Sequence, residues 1–468
     1  MFSLRVSALS LAIVGCGLGS ANLAAQIQQV VTISPADATN PNEVSIAINP
    51  RNPDNLVAVA MVRDYQNRPG YTNFAFHSFD AGKTWGVSPM AVVNQRTQAD
   101  DAVRFTAEGI ALRTCISFLG IFEPRPARAA SAILLSRSAD GGVTWEPPVS
   151  LITHENSAEP MEDKPYLIVD NAKDSPHRGN VYVAWTRFDR YGSSHAEDNS
   201  NIIFARSTDG GRSFLPPYRV TDAGGDCRDS DGTVEGVVPA VGVNGEVFLV
   251  WAGPRGLEFD VSTDGGQNFA QDRAIFDMPG GWDSEVPGCS RHNGMPVTAV
   301  DHSSGRFRGQ LYVSWIDNRN GDLDVFVASS ADAGKTWTQP QRVNDDPLRN
   351  GKAQFFSWMA VDPLDGSVNL IFLDRRDSGD DHARLTLARS IDGGQSFQNY
   401  SVNFGPLALN AGIFIGDYTG IDAYGGRVVA AFTHPTGDAR QTAIAATIVD
   451  FVPGTLEFAS AVKNDSER

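Results

Sequence analysis

Long apolar runs, helical periodicity, cysteine and positive charge are all scarce in this 468-residue chain. Beyond the N-terminus no stretch stays apolar for the roughly 20 residues that a membrane helix needs. No long segment repeats its apolar residues with the helical period, which argues against a helical bundle. The 38 Lys and Arg are outnumbered by 55 Asp and Glu, leaving a net charge of −17. Phosphate binding needs a basic face, so nucleic acid is excluded as a partner. An anionic ligand would have to be met by a local group of arginines rather than by the overall field. The sequence also lacks a zinc-ligand spacing, a nucleophile-elbow serine and a phosphate-cradling glycine loop.

The one apolar run worth separating is at the start. Residues 1–25, "MFSLRVSALSLAIVGCGLGSANLAA", place one Arg before a short apolar stretch and then small residues, the pattern of an export signal. Cleavage after Ala25 would release a soluble chain, periplasmic or secreted. "IVGC" instead fits a lipoprotein signal with a lipid anchor at Cys16 on the outer membrane, and both options stay open. Residues 26–468 are then expected to form a single domain and a monomer. Cys115, in "ALRTCISFLG", reads as a small buried apolar residue. Cys227 and Cys289 lie in polar loops of an exported chain, and a disulfide between them is expected.

What the chain has in abundance is turns, with 45 Gly and 26 Pro. One turn recurs six times: "SFDAGKTW", "SADGGVTW", "STDGGRSF", "STDGGQNF", "SADAGKTW" and "SIDGGQSF" start at residues 78, 138, 207, 262, 330 and 390. A repeat of this size signals a solenoid or propeller. Each copy follows two strand-like runs, such as "VYVAWTRF" and "NIIFAR", with a third run ahead of them and a fourth behind. Four antiparallel strands make one propeller blade. A seventh unit without the turn begins at "GDYTGIDAY" (416–424), so the fold class is all-β, a seven-bladed propeller. "IQQVVTIS" (27–34) is expected to close the last blade, the alternative being "GTLEFASAV" (454–462). In the turns, Asp80, Asp140, Asp209, Asp264, Asp332 and Asp392 read as structural. Six equivalent copies spread around a ring cannot converge on one substrate.

This turn resembles the Asp-box, or BNR repeat, of the sialidase (neuraminidase) superfamily, and the resemblance covers nearly the whole of 26–468. It implies a β-propeller, six-bladed in sialidases themselves, and a glycosidase with a Tyr nucleophile, a Glu that activates it, an Asp acid/base and arginines on the substrate carboxylate. The blade without the turn would supply Tyr418 as nucleophile. "VEGVVPAVGVNGEVFLVWAGPR" would supply Glu235 and Arg255, and "CSRHNGMPV" would supply Arg291. Asp163 and Asp64 are candidates for the acid/base. The first-blade Arg of sialidases is absent: "NEVSIAINP" has Glu43 and Val44 there, with Arg63 as a substitute.

The residues alone point to the same face. Second strands end near Arg63, Arg187, Arg255, Arg319 and Arg375, and first strands open near Glu43, Glu108, Asp163, Glu235, Arg291 and Tyr418. Such a funnel suits an acidic sugar, because Arg forks a carboxylate and Asp or Glu moves protons. The leading expectation is an exported sialidase-like glycoside hydrolase acting on a terminal acidic sugar. A polysaccharide lyase on uronic-acid polymers, with His292 or His195 as a further base, and a non-catalytic glycan- or protein-binding propeller are the alternatives. No cofactor is expected. Asp226, Asp229 and Asp231 form a Ca2+-like but incomplete set.

Overall fold

Alternating apolar residues and closely spaced turns leave each segment one solution, an antiparallel strand with both faces covered. The computed structural model describes residues 24–27, 30–63, 70–121, 129–379, 381–402, 405–437 and 441–452. Cys16, Asp64 and residues 454–462 lie outside them. Seven antiparallel sheets follow one another along the chain. In the first blade Thr39–Ile48, Leu56–Arg63, Tyr71–Ser78 and Gly86–Pro89 pair in sequence order. The first strands of the other blades are Thr97–Phe105, Met161–Val169, Glu235–Val241, Val297–Val300, Gln354–Val361 and Gly420–Tyr424. Each touches the first strand of the next blade, and the seventh returns to the first. This closed ring around an axis is a seven-bladed β-propeller, one blade more than in sialidases.

The last blade takes its outer strand from the start of the chain. Ala24–Ile27 pairs antiparallel with Thr442–Val452, and Val31–Thr32 pairs with the same strand further along. The closure lies where it was expected but begins at Ala24, inside the segment read as a leader. Two-ended closure satisfies an edge that would otherwise expose unpaired N–H and C=O groups.

Second strands carry the largest buried side chains, among them Trp185, Trp251 and Trp315. Burying a large apolar side chain stabilises by about 1.5–3 kcal/mol, and apolar layers between successive sheets hold the ring together. Among the described residues no helix is long and apolar enough to cross a membrane.

The six repeated turns join third to fourth strands at the end of each blade away from the start of the first strand. In blade one Ser78 lies across from Leu56 and Ile48, whereas Tyr71 lies across from Arg63 and Thr39. Within each turn the Ser hydroxyl donates to the Asp carboxylate and accepts from the second Gly N–H, as in Ser330–Asp332 (2.8 Å) and Gly334–Ser330 (2.8 Å). The same carboxylate accepts the N–H and hydroxyl of Thr336 at 2.8 and 2.7 Å. Thr84 and Thr336, through hydroxyl and N–H, pull Asp80 and Asp332 down to about 2. The second Gly sits at positive φ against the preceding blade. A Cβ on Gly334 would lie 2.3 Å from Phe259, and one on Gly82 would lie 2.4 Å from Ile448. The turns are inter-blade clasps.

The expected disulfide is not formed: Cys227 and Cys289 are free thiols. Cys227 is packed with Met161 and Phe188, while Cys289 lies beside Arg375, its thiol pushed up to about 12 by burial. Cys115 is buried as expected.

Candidate functional site at the propeller axis

The first strands do not run straight to the axis. In five blades the pairing of first and second strands skips two residues near the strand start. Such bulges re-aim side chains. Two residues before register resumes stand Glu43, Asp100, Lys164, Gly236 and Phe356, all at positive φ between 47° and 73°. Only Gly takes that conformation cheaply, and the others cost about 1–3 kcal/mol each. In the two remaining blades the equivalent positions are Met295 and Tyr418, each two residues before the first pair of its strand. Lys164, Gly236, Met295 and Tyr418 line a narrow cavity of about 20 Å3, walled further by Tyr166, Trp358 and Asp417. That is room for about one water.

Around this cavity the ionisable groups balance. Lys164 Nζ donates to Glu235 at 2.7 Å and lies 3.3 Å from Asp417. Arg291 forks Asp417, with Nε at 2.7 Å, and reaches Asp229 at 3.5 Å. Tyr191 donates its hydroxyl to Asp229 at 2.6 Å. Burial opposes the charge of Asp417, but Lys164 and then Arg291 outweigh it and hold its carboxyl below the usual range. Asp229 is likewise held low against its burial, first by Lys164. Two ionised carboxylates thus meet two cations.

Four further carboxyls are pushed the other way. Burial raises Glu43 to about 7 and Asp163 and Glu235 to about 8. Asp100 goes well up, by burial and then by the charge of Glu43. Asp100 is within hydrogen-bond reach of both Glu43 and Asp163, contacts that need a shared proton. The Tyr418 hydroxyl points at Asp100 Oδ1, 3.4 Å away, and its ring packs edge-on against Tyr166 (5.7 Å) and beside Trp358 (5.9 Å). Burial raises the phenol well above its ordinary value, and Glu43 and Asp100 add to that, so Tyr418 keeps its proton.

The structure therefore brings together Tyr418, Asp163, Glu235, Glu43 and Arg291. It does not bring Glu235 to Tyr418. Glu235 is held by Lys164, and the carboxyl facing the phenol is Asp100.

The other arginines stand apart. Arg255 pairs with Glu258. Arg319 pairs with Asp317 at 2.5 Å and lies over Phe326. Arg187 pairs with Glu162. Arg375 is buried, with Nη1 donating to Pro287 O at 3.1 Å. Arg63 is exposed at the end of its strand. Glu108 does not open a first strand, because the first strand of blade two is Thr97–Phe105 and Glu108 lies in the turn after it.

His292 is buried against Phe355 and Phe356, its Nδ1 2.8 Å from Ser284 Oγ, and burial pulls it down to about 3. His195 is exposed in a loop. Asp226, Asp229 and Asp231 turn to different partners: Thr233, Tyr191 and the N–H of Asp283. Among the described residues no group of three His, Cys, Asp or Glu is arranged to hold a metal ion.

Sequence reasoning passed over Asp100, Lys164 and Asp417. Asp417 directly precedes Tyr418, but the other two owe their place to bulges, for which only Gly236 carries a glycine as a signal.

No family model matches the chain, and no curated protein matches its sequence. Solved structures do resemble it in fold. A PL25 ulvan lyase bound to -[GlcA(1-4)Rha3S]- is 11% identical over 89% of this chain and 95% of its own, with a TM-score of 0.50. The Penicillium chrysogenum alpha-L-arabinanase complexed with arabinobiose is 16% identical over 78% and 98%, with a TM-score of 0.47. A Hadza microbial sialidase is 15% identical over 82% and 74%, with a TM-score of 0.45. At these identities the likeness is one of fold, and the chain is a β-propeller that resembles propellers of several activities.

Proposed function

We propose that this protein is a glycan-active propeller, an exported glycoside hydrolase whose reaction centre is the axial cluster. The observation that carries the reading is the placement of Tyr418 against Asp100 among carboxyls that keep their protons near neutral pH. A retaining glycosidase needs a nucleophile with a proton acceptor and an acid that is protonated at working pH. Tyr418 attacks the anomeric carbon as its proton passes to Asp100, which acts as acceptor in the form where the proton-sharing Glu43–Asp100–Asp163 set has given up one proton. Asp163 or Glu43 protonates the leaving oxygen, and water then releases the sugar from the tyrosine.

The expected acidic sugar loses its support here. Among the described residues the cations ion-paired within the cluster, Arg291 and Lys164, are both committed to carboxylates. A substrate carboxylate would enter without a partner, so the reading favours an uncharged terminal sugar. The cavity admits about one water, so a ring reaches Tyr418 only when its walls move apart, and Asp417 of that wall is held by Arg291, 43% exposed and lying over Phe414. The test is release of reducing sugar from panels of neutral and acidic glycans, by wild type and by Tyr418→Phe. Turnover of a neutral glycan that the variant loses supports the reading, and turnover confined to acidic glycans overturns it.

A further inference from the structure

A second, larger cavity lies on the same face of the propeller. It measures about 370 Å3, within the range of small-molecule sites. Its walls are the hairpin joining the second and third strands of blade four, at Pro254 and Arg255, and the connection from blade four to blade five, at Met278 and Trp282. Asp231 and Asp277 complete it. The groove is joined to the axial cavity by a short chain of contacts. Asp231 accepts the backbone N–H of Asp283 at 2.8 Å, and Asp283 forms a strand bridge with Asn293. Asn293 lines the axial cavity and donates to the carbonyl of Asp417 at 3.0 Å.

The chemistry of the groove is that of a sugar site. Met278, Pro254 and the buried Trp282 give an apolar wall for the C–H face of a ring. Asp231 and Asp277 are acceptors for hydroxyl donors. Arg255 is the cation of the groove, and the buried Glu258 already holds it. A uronate or sulfate would therefore meet two carboxylates and an occupied guanidinium, whereas vicinal hydroxyls would find acceptors.

We propose that this groove binds the inner units of an uncharged oligosaccharide whose terminal sugar reaches the axial cavity. The inference rests on the hydrolase reading above and deepens it: the substrate is a neutral chain gripped beyond its terminal residue. Remote binding of this kind positions the reacting end.

The test is titration calorimetry on the full-length Tyr418→Phe protein, which separates binding from turnover. The probes are linear arabino-, xylo- and mannohexaose, their monosaccharides, and a galacturonate hexamer. The expected result is that one neutral hexaose binds at least tenfold more tightly than its own monosaccharide. That ratio should collapse towards one when Asp231→Asn and Asp277→Ala are added. Asp277 is 85% exposed, so Asp277→Ala alone serves if the double variant does not fold. Equal binding of hexaose and monosaccharide, with wild-type turnover of a neutral glycan intact, overturns the groove alone. A ratio that survives the substitutions does the same. Preference for the galacturonate hexamer, or no neutral binding together with no neutral turnover, overturns both the groove and the hydrolase reading.

Discussion

Two carboxyls, Glu235 and Asp417, reach the single ammonium of Lys164, and only Asp417 has a second cation in Arg291. Asp417 keeps its charge while Glu235 keeps its proton. Burial, and then neighbouring carboxyls, raise Glu43, Asp100 and Asp163 against the opposing pull of Lys164. These shifts have a sign in stability. A carboxyl whose folded value lies above its unfolded one binds its proton more tightly when folded. Its contribution is complete below about pH 4 and is lost as pH rises through the folded values, about 7 for Glu43 and about 8 for Asp163 and Glu235. Thermal midpoints recorded from pH 5 to 9 should therefore fall by several degrees across pH 6–8, and the fall should shrink in Asp163→Asn. A midpoint flat or rising over that interval would contradict the protonated cluster. The clasp residues Asp80 and Asp332 act in the opposite sense: their contribution is present above about pH 4 and lost as pH falls through about 2.

At the scale of elements, two repeated devices divide the labour. The clasp at one end of a blade fixes it to the blade before, and the bulge at the other end turns a side chain to the axis. Gly334 belongs to the first. It takes a positive φ of 80° and has Phe259 where a Cβ would go. Gly334→Ala should cost about 2–4 kcal/mol by combining left-handed strain with a steric clash, read as a lowered denaturant midpoint with unchanged slope. Loss below about 0.5 kcal/mol would show that the blades are not closely fitted there. The preceding position tests the converse. Ala333 holds a left-handed φ of 59° where four of the six copies have Gly, so Ala333→Gly should be neutral to slightly stabilising.

For the whole molecule, closure pairs the first described strands, Ala24–Ile27 and Val31–Thr32, with the last, Thr442–Val452. Removing residues up to Thr32 should expose the edge of Thr442–Val452 and lower the thermal midpoint, and an unchanged midpoint would contradict the closure.

Architecture was legible in the sequence because it is repeated. "SADAGKTW" and its five relatives served as a ruler, and the blade that lacks the turn could be counted by difference. The site was legible only in part. Tyr418, Asp163, Glu235 and Arg291 are named from their places near the starts of first strands and from the resemblance to sialidases; the axis gathers them, but Glu235 lies on Lys164 and not on Tyr418. Arg255, Arg319 and Arg375 share that register, but each is turned elsewhere: Arg255 and Arg319 by acidic neighbours, Arg375 by a backbone carbonyl. Asp100 and Lys164 were missed because a two-residue bulge shifts which side chain faces the axis, and nothing local in "TQADDAVRF" or "MEDKPYLIV" announces it.

The measurement that bears most directly on the axial cluster is the steady-state rate of reducing-sugar release from a neutral glycan substrate, compared among wild type, Tyr418→Phe, Asp100→Asn and Glu235→Gln. The account predicts that Tyr418→Phe and Asp100→Asn each lower kcat by at least about a hundredfold while thermal midpoints stay near wild type. Glu235→Gln, bound to Lys164 rather than to the phenol, should cost less than Asp100→Asn. Full activity in Tyr418→Phe, or a loss in Glu235→Gln that exceeds the loss in Asp100→Asn, would contradict it.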